Sequence, residues 1–102
     1  MQPFITAKQT EIIELCRTHH VRRLSIFGSA VRDDFDPATS DIDVRVEFHP
    51  DALDNYVRNL DDLHDRLTQL FGRKVDLLSA QEIRNPRLRK IIEEAQVTLY
   101  AA

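Results

Sequence analysis

Asp41-Ile42-Asp43-Val44-Arg45-Val46-Glu47-Phe48 is the stretch on which the fold turns. Apolar and charged residues alternate along it with a period of two, which is the pattern of a β-strand with one dry side and one polar side. Ile42, Val44, Val46 and Phe48 form the dry side, and Asp41, Asp43, Arg45 and Glu47 the polar one. A dry strand face must be covered, and the following residues supply the cover. Leu53, Tyr56, Val57, Leu60, Leu63, Leu67 and Leu70 recur at three- and four-residue steps, predicting a helix over 51–71 with Gly72 as its C-cap.

Upstream, Val21 to Phe27 is rich in β-branched and aromatic residues and stops at Gly28, one of only two glycines, so it reads as a strand. Ala30-Val31-Arg32 follows as a short helix, and residues 33–40 are loop by their Asp, Pro and Ser content. Thr6-Ala7-Lys8-Gln9 reads as a capping box opening a helix over 7–18, with Ile12, Ile13, Leu15 and Cys16 on its apolar stripe. Downstream, Val75-Asp76-Leu77-Leu78 is a short strand and Ser79-Ala80-Gln81-Glu82 a second capping box. Asn85-Pro86 starts a helix carrying Leu88, Ile91, Ile92 and Ala95, because proline at the first helical position gives up an amide that has no helical partner. Val97 to Tyr100 is a last strand. The order α-β-α-β-α-β-α-β predicts an α/β fold, a small mixed β-sheet packed with helices in two or three layers.

The 102 residues suit a single domain, 1–102, and 42% hydrophobic with 30% charged residues suits one core rather than a disordered or membrane-embedded chain. Fourteen Lys and Arg against seventeen Asp and Glu give a net charge of −3, so nothing global draws the chain to nucleic acid or to anionic membranes. Cys16 is the only cysteine and so forms no disulfide within the chain. The start Met1-Gln2-Pro3-Phe4 lacks the basic and apolar regions of a signal peptide, and no run reaches the ~18 apolar residues of a membrane helix. The expectation is a cytoplasmic protein.

Three carboxylates stand out by position. Asp41 and Asp43, two apart on one strand, project from one face, where like charges side by side favour a hard divalent cation with oxygen ligands such as Mg²⁺. Equally, a solvent-facing strand carries acids for solubility alone. Asp76 sits in an otherwise apolar strand, where a carboxylate is costly unless paired or metal-bound. It either completes a three-carboxylate cluster, if its strand pairs beside that of Asp43, or forms a salt bridge with Arg73 or Lys74. Gly28-Ser29, between a strand and a short helix, is a turn whose backbone can approach a phosphate. His19, His20, His49 and His64 have no metal-ligand spacing, and His19-His20 suit a helix C-terminus by its dipole. Arg84, Arg87, Arg89 and Lys90 read as a solvated face balancing Glu93 and Glu94, or as a contact for nucleic acid or an acidic partner.

The stretches Phe27-Gly28-Ser29-Ala30-Val31-Arg32 and Ser40-Asp41-Ile42-Asp43-Val44, with Val75-Asp76-Leu77-Leu78, resemble the signature of the minimal nucleotidyltransferases, the MNT domains of the DNA polymerase β-like superfamily. The likeness extends through Asn85-Pro86 to Leu99-Tyr100; it departs at Asp33, where the family often has glycine, and in a loop of eleven residues between Ser29 and Asp41. The resemblance implies the nucleotidyltransferase fold and transfer of AMP from ATP to a hydroxyl. It implies Asp41, Asp43 and Asp76 as catalytic ligands of two Mg²⁺ ions, with Gly28, Ser29 and Arg32 contacting the triphosphate. It also implies an antitoxin in a toxin-antitoxin pair, in hetero-oligomeric contact with a HEPN-domain RNase toxin whose tyrosine accepts AMP. The alternative is a non-catalytic antitoxin that inhibits by occlusion; a nucleic-acid-binding regulator is disfavoured by the acidic charge balance.

Overall fold

The alternating stretch forms strand β2, Ile42–Phe48, in a computed structural model that describes residues 3–31, 41–79 and 84–102, with side chains for all of these except 3, 4, 29, 30 and 51–53. Its dry side is buried as expected, with Ile42, Val44 and Val46 fully enclosed. Strand β1, Val21–Phe27, lies antiparallel beside it, pairing Phe27 with Asp43 and Ile26 with Val44. Strand β3, Val75–Ser79, runs parallel to β2 on its other side, and β4, Val97–Ala101, is antiparallel to β1, giving a mixed sheet in the order β3-β2-β1-β4.

Helices lie on both faces, a three-layer arrangement. The dry face is covered by α2, Gln9–Thr18, and α3, Tyr56–Phe71, whose Ile12, Cys16, Leu63, Leu67 and Phe71 join the strand residues in one core cluster. Burial pushes the Cys16 thiol up to about 12, so it behaves as a small apolar side chain, as its place on the stripe predicts. Helix α4, Pro86–Ala95, lies over the opposite face; its Ile92 is buried outside that core cluster.

Several predicted boundaries move for identifiable reasons. The Thr6-Gln9 capping box does not form, because Thr6 closes a separate helical turn, α1 (Pro3–Thr6), and the N-cap of α2 is Lys8, with no side-chain bond. The first five residues of the helix predicted over 51–71 are instead 3₁₀, in a turn over Pro50–Asn55, with the α-helix beginning at Tyr56. Gly72 is the left-handed C-cap expected of it, at φ 65°, its amide donating to the Thr68 carbonyl. Asn85 caps α4 by accepting from the amides of Arg87 and Leu88, with Pro86 at the first helical position. Ser79 ends β3, and the remainder of the second predicted capping box, like the loop 33–40, lies outside the described residues.

A polar latch joins α2 to α3. His19, the C-cap of α2, sets Nδ1 2.8 Å from the Leu15 carbonyl oxygen and Nε2 2.5 Å from Asp62 Oδ2, while Asn59 donates to the His19 carbonyl. The bond from His19 holds the Asp62 carboxyl below its ordinary value, with the charges of His19 and Arg66 adding to the effect. A lowered carboxyl stabilises the fold above its unfolded pKa and loses that contribution as pH falls through the folded value. Asp62→Asn is therefore expected to lower the thermal midpoint at neutral pH, with the gap to the parent chain closing once pH falls below the ordinary 3.8. Melting curves across that range check it, and a gap that does not change with pH would contradict it.

Candidate active site

The polar side of β2 meets neighbours on both flanks. In the parallel register of β2 and β3, Asp43 stands opposite Asp76, so the two carboxylates occupy one sheet face on strands about 4.8 Å apart. Asp41 precedes β2 by one residue and shares that side, and the start of the strand is fixed by the Ile42 amide donating to the Lys74 carbonyl at 3.1 Å. The strand pairing on which the sequence reading of Asp76 was conditional is therefore present, with Asp76 beside Asp43. On the other flank, Phe27 pairs with Asp43, and Gly28 follows at φ 69°, opening a 3₁₀ turn, Gly28–Val31. A Cβ placed on Gly28 would fall on Asp43 Oδ2, well inside contact distance. Glycine thus lets the turn close on the acid.

Asp76 differs from the sequence expectation in one respect: it is not enclosed. Its side chain is 47% exposed and that of Asp41 40%, because β3 is the edge of the sheet and nothing among the described residues covers its polar face there. Its charge therefore keeps contact with solvent, and burial does not by itself require a ligand there. The salt bridge considered for it is present but long, with Lys74 Nζ 4.0 Å from Asp76 Oδ1 and 3.7 Å from Asp41 Oδ2 on a 72% exposed lysine. An exposed pair of this kind contributes only about 0–1 kcal/mol. Among the described residues no group of three or more His, Cys, Asp or Glu side chains is drawn together as a metal cluster; the Lys74 ammonium bridges two of the acids instead. The donor set itself, carboxylate oxygens on one open face, has the chemistry that suits a hard divalent cation.

Arg45, expected on a solvated polar side, is 5% exposed, because α4 lies over it. Its Nη1 donates to Gln96 Oε1 at 3.2 Å, and its Nη2 pairs with Glu93 at 3.4 Å and Glu47 at 3.8 Å. Glu93 therefore answers Arg45 rather than the basic cluster of its own helix. His64 was not distinguishable from the other histidines in sequence; its Nε2 donates to the Val75 carbonyl at 2.7 Å, tying α3 to the strand residue before Asp76. A cleft of about 260 Å³ opens there, lined by Leu60, Asp61, His64, Val75, Asp76 and Leu77. Arg32 lies outside the described residues, as does the side chain of Ser29, whose backbone is in the 3₁₀ turn.

A strand ending in a tight glycine turn against two in-register carboxylates has the chemistry that suits phosphate and cations, and comparison with known proteins gives the class. The family model described as nucleotidyltransferase domain matches residues 10–98, and the chain belongs to that family; it is a nucleotidyltransferase. It is 38% identical over 95 residues to "Putative protein adenylyltransferase MJ0128" of Methanocaldococcus jannaschii, with 83% of this chain and 91% of that protein covered. The solved "putative minimal nucleotidyltransferase" superposes with a TM-score of 0.69 at 28% identity, covering 91% of this chain and 90% of the other. The fold also matches, at TM-score 0.65 and 22% identity over 95% of this chain and 72% of the other, a structure of the tri-AMPylated Shewanella oneidensis HEPN toxin in complex with MNT antitoxin. The expected fold, a mixed sheet with helices in the nucleotidyltransferase arrangement, is the observed one. Among the described residues no helix is long and apolar enough to cross a membrane.

Proposed function

We propose that this chain transfers AMP from ATP to a tyrosine hydroxyl of a HEPN-type RNase toxin and so acts as its antitoxin. The observation that carries the reading is the in-register pair Asp43 and Asp76 beside the Gly28 turn. The protein-adenylyltransferase name of the M. jannaschii relative and the AMPylated toxin bound to the Shewanella MNT protein support the choice of nucleotide and acceptor.

In the proposed reaction the acceptor oxygen forms a bond to the α-phosphorus, the bond from that phosphorus to the β-phosphate oxygen breaks, and pyrophosphate leaves. Asp76, on the open edge strand beside a cleft, takes the acceptor's proton. Gly28 admits the triphosphate close to the backbone of its turn, with Ser29 and Arg32 assigned to the β- and γ-phosphates. Asp41, Asp43 and Asp76 would hold Mg²⁺, two ions in this assignment, which neutralise phosphate charge and lower the pKa of the attacking hydroxyl. Catalysis of this kind is mainly positioning and charge stabilisation, and a rigid sheet supplies the positioning by setting Asp43 and Asp76 on neighbouring strands in fixed register.

The test is to incubate the chain with a HEPN-type RNase from the same genome, ATP and Mg²⁺, then measure intact masses and RNase activity. AMP-sized mass increments on the HEPN protein with loss of RNase activity are expected, and Asp43→Ala should abolish both. Inhibition that survives without ATP and in Asp43→Ala would replace transfer by occlusion. Absence of both a mass change and a stable complex would overturn the choice of acceptor.

A further inference from the structure

We propose that the outer face of α4 is a homodimer contact, in which two copies of the chain pack these helices antiparallel about a two-fold axis. Helix α4 is ten residues long, with the apolar residues Leu88, Ile91, Ile92 and Ala95 at three- and four-residue steps. Only Ile92 turns into the protein; Leu88 is 48% and Ile91 57% exposed, two of the three large apolar side chains left exposed among the described residues. A helix this short is marginal in water on its own. It is held by the Asn85 cap, by Ile92 and by the Arg45 bonds to Glu93 and Gln96, none of which covers the outer stripe.

The charges on that stripe indicate what covers it. Arg87 and Lys90 lie in the N-terminal half and Glu94 in the last turn, with no acidic residue in the first turn and no basic one in the last. The helix dipole favours the reverse order, so the stability of the helix itself does not account for the pattern. Pairing within the chain does not either: Arg87, Lys90 and Glu94 have no ion pair among the described residues. Arg87, Ile91 and Glu94 are spaced i, i+4, i+7, so they fall along one line of the outer face with the isoleucine at its centre.

A two-fold axis through Ile91 sets that residue against its own counterpart and brings each Arg87 to the Glu94 of the other copy, with Leu88 directed toward the other Ala95. A two-fold interface must be self-complementary, and a stripe basic at one end, apolar in the middle and acidic at the other satisfies that condition. A parallel pairing would set like charges together, and a uniformly acidic partner helix would meet Glu94 with repulsion. One helix pair buries less than the ~1,600 Å² of a standard interface, so the dimer is expected to be weak.

Sedimentation equilibrium of the full chain over a wide concentration range tests this. The parent chain is expected to move from the monomer mass of 11.9 kDa toward twice that value as concentration rises. Arg87→Glu and Glu94→Arg should each remain monomeric, with circular dichroism spectra like the parent's. An equimolar mixture of the two variants should regain the dimer, because every contact then again joins opposite charges, and the double variant should regain it alone. A parent chain that stays monomeric to millimolar concentration would overturn the proposal. So would a dimer that survives both single substitutions, or a mixture that fails to recover it.

Discussion

Asp43→Asn is expected to lower nucleotidyl transfer by about 10²–10³-fold or more, the range for loss of one charge-stabilising group at a reacting centre, while the fold is retained. In the fold, Asp43 faces Asp76 across β2 and β3, and like charges side by side repel. Replacing the charge with an amide of the same shape relieves that repulsion and leaves the dry side of β2 untouched. In the proposed reaction, the same negative charge would hold cations against the phosphates. Asp76→Asn should behave alike, with the added loss of the group assigned to the acceptor proton. Initial rates of AMP transfer together with a calorimetric unfolding scan on each variant decide the matter. Transfer retained at the parent rate by Asp43→Asn would remove this residue from the site, and a large fall in midpoint would make its role structural.

The strand register that brings these acids together was legible only in part. Alternation from Asp41 to Phe48 exposes the period of two directly, so the strand and its two sides could be read from residues alone. Gly72 and Asn85-Pro86 were legible for a local reason: a left-handed cap and a proline-opened helix are conditions on a few consecutive residues. That Asp43 lies opposite Asp76 is a property of two segments more than thirty residues apart, and nothing in either states which strand it joins. The exposure of Asp76 was misread for the same reason. Val75, Leu77 and Leu78 make its strand look interior, yet β3 is an edge, and although Val75 is buried, Leu77 and Leu78 are only half-covered there.

Arg45 gives the complementary case. Its place in the alternation puts it correctly on the polar side, but whether that side meets water depends on where α4 falls, which is a tertiary fact. The buried guanidinium recruits Glu93, and this removes a negative charge that the sequence assigned to the basic cluster of α4. The latch of His19 to Asp62 was hidden likewise. The two residues are 43 apart, and only the helix-terminal position of the histidine was visible in advance.

Gly28→Ala is expected to damage both fold and reaction, and a matched substitution at the other glycine separates the causes. Gly28 and Gly72 have nearly the same backbone conformation, φ 69° and 65°, in the left-handed region. Placing an L side chain there costs about 1–2 kcal/mol at either position. At Gly72 nothing lies within 4 Å of the new Cβ, so Gly72→Ala should show that conformational cost alone, lowering the midpoint by roughly 4–16 °C for a domain of this size, with transfer unaffected. At Gly28 the new Cβ meets Asp43 Oδ2, and that carboxylate is fixed on a central strand. Either the turn moves off the strand end or Asp43 swings away from Asp76. Overpacking of this sort adds about 1–3 kcal/mol, and displacing a reacting group by about 1 Å is sufficient for a hundredfold loss of rate. The expected result is a larger fall in midpoint for Gly28→Ala than for Gly72→Ala, and a hundredfold or greater loss of transfer measured well below the unfolding transition. Equal midpoints with equal activity would mean that the Gly28 turn can give way without cost, and the close packing of that turn on Asp43 would then have no part in positioning the acid.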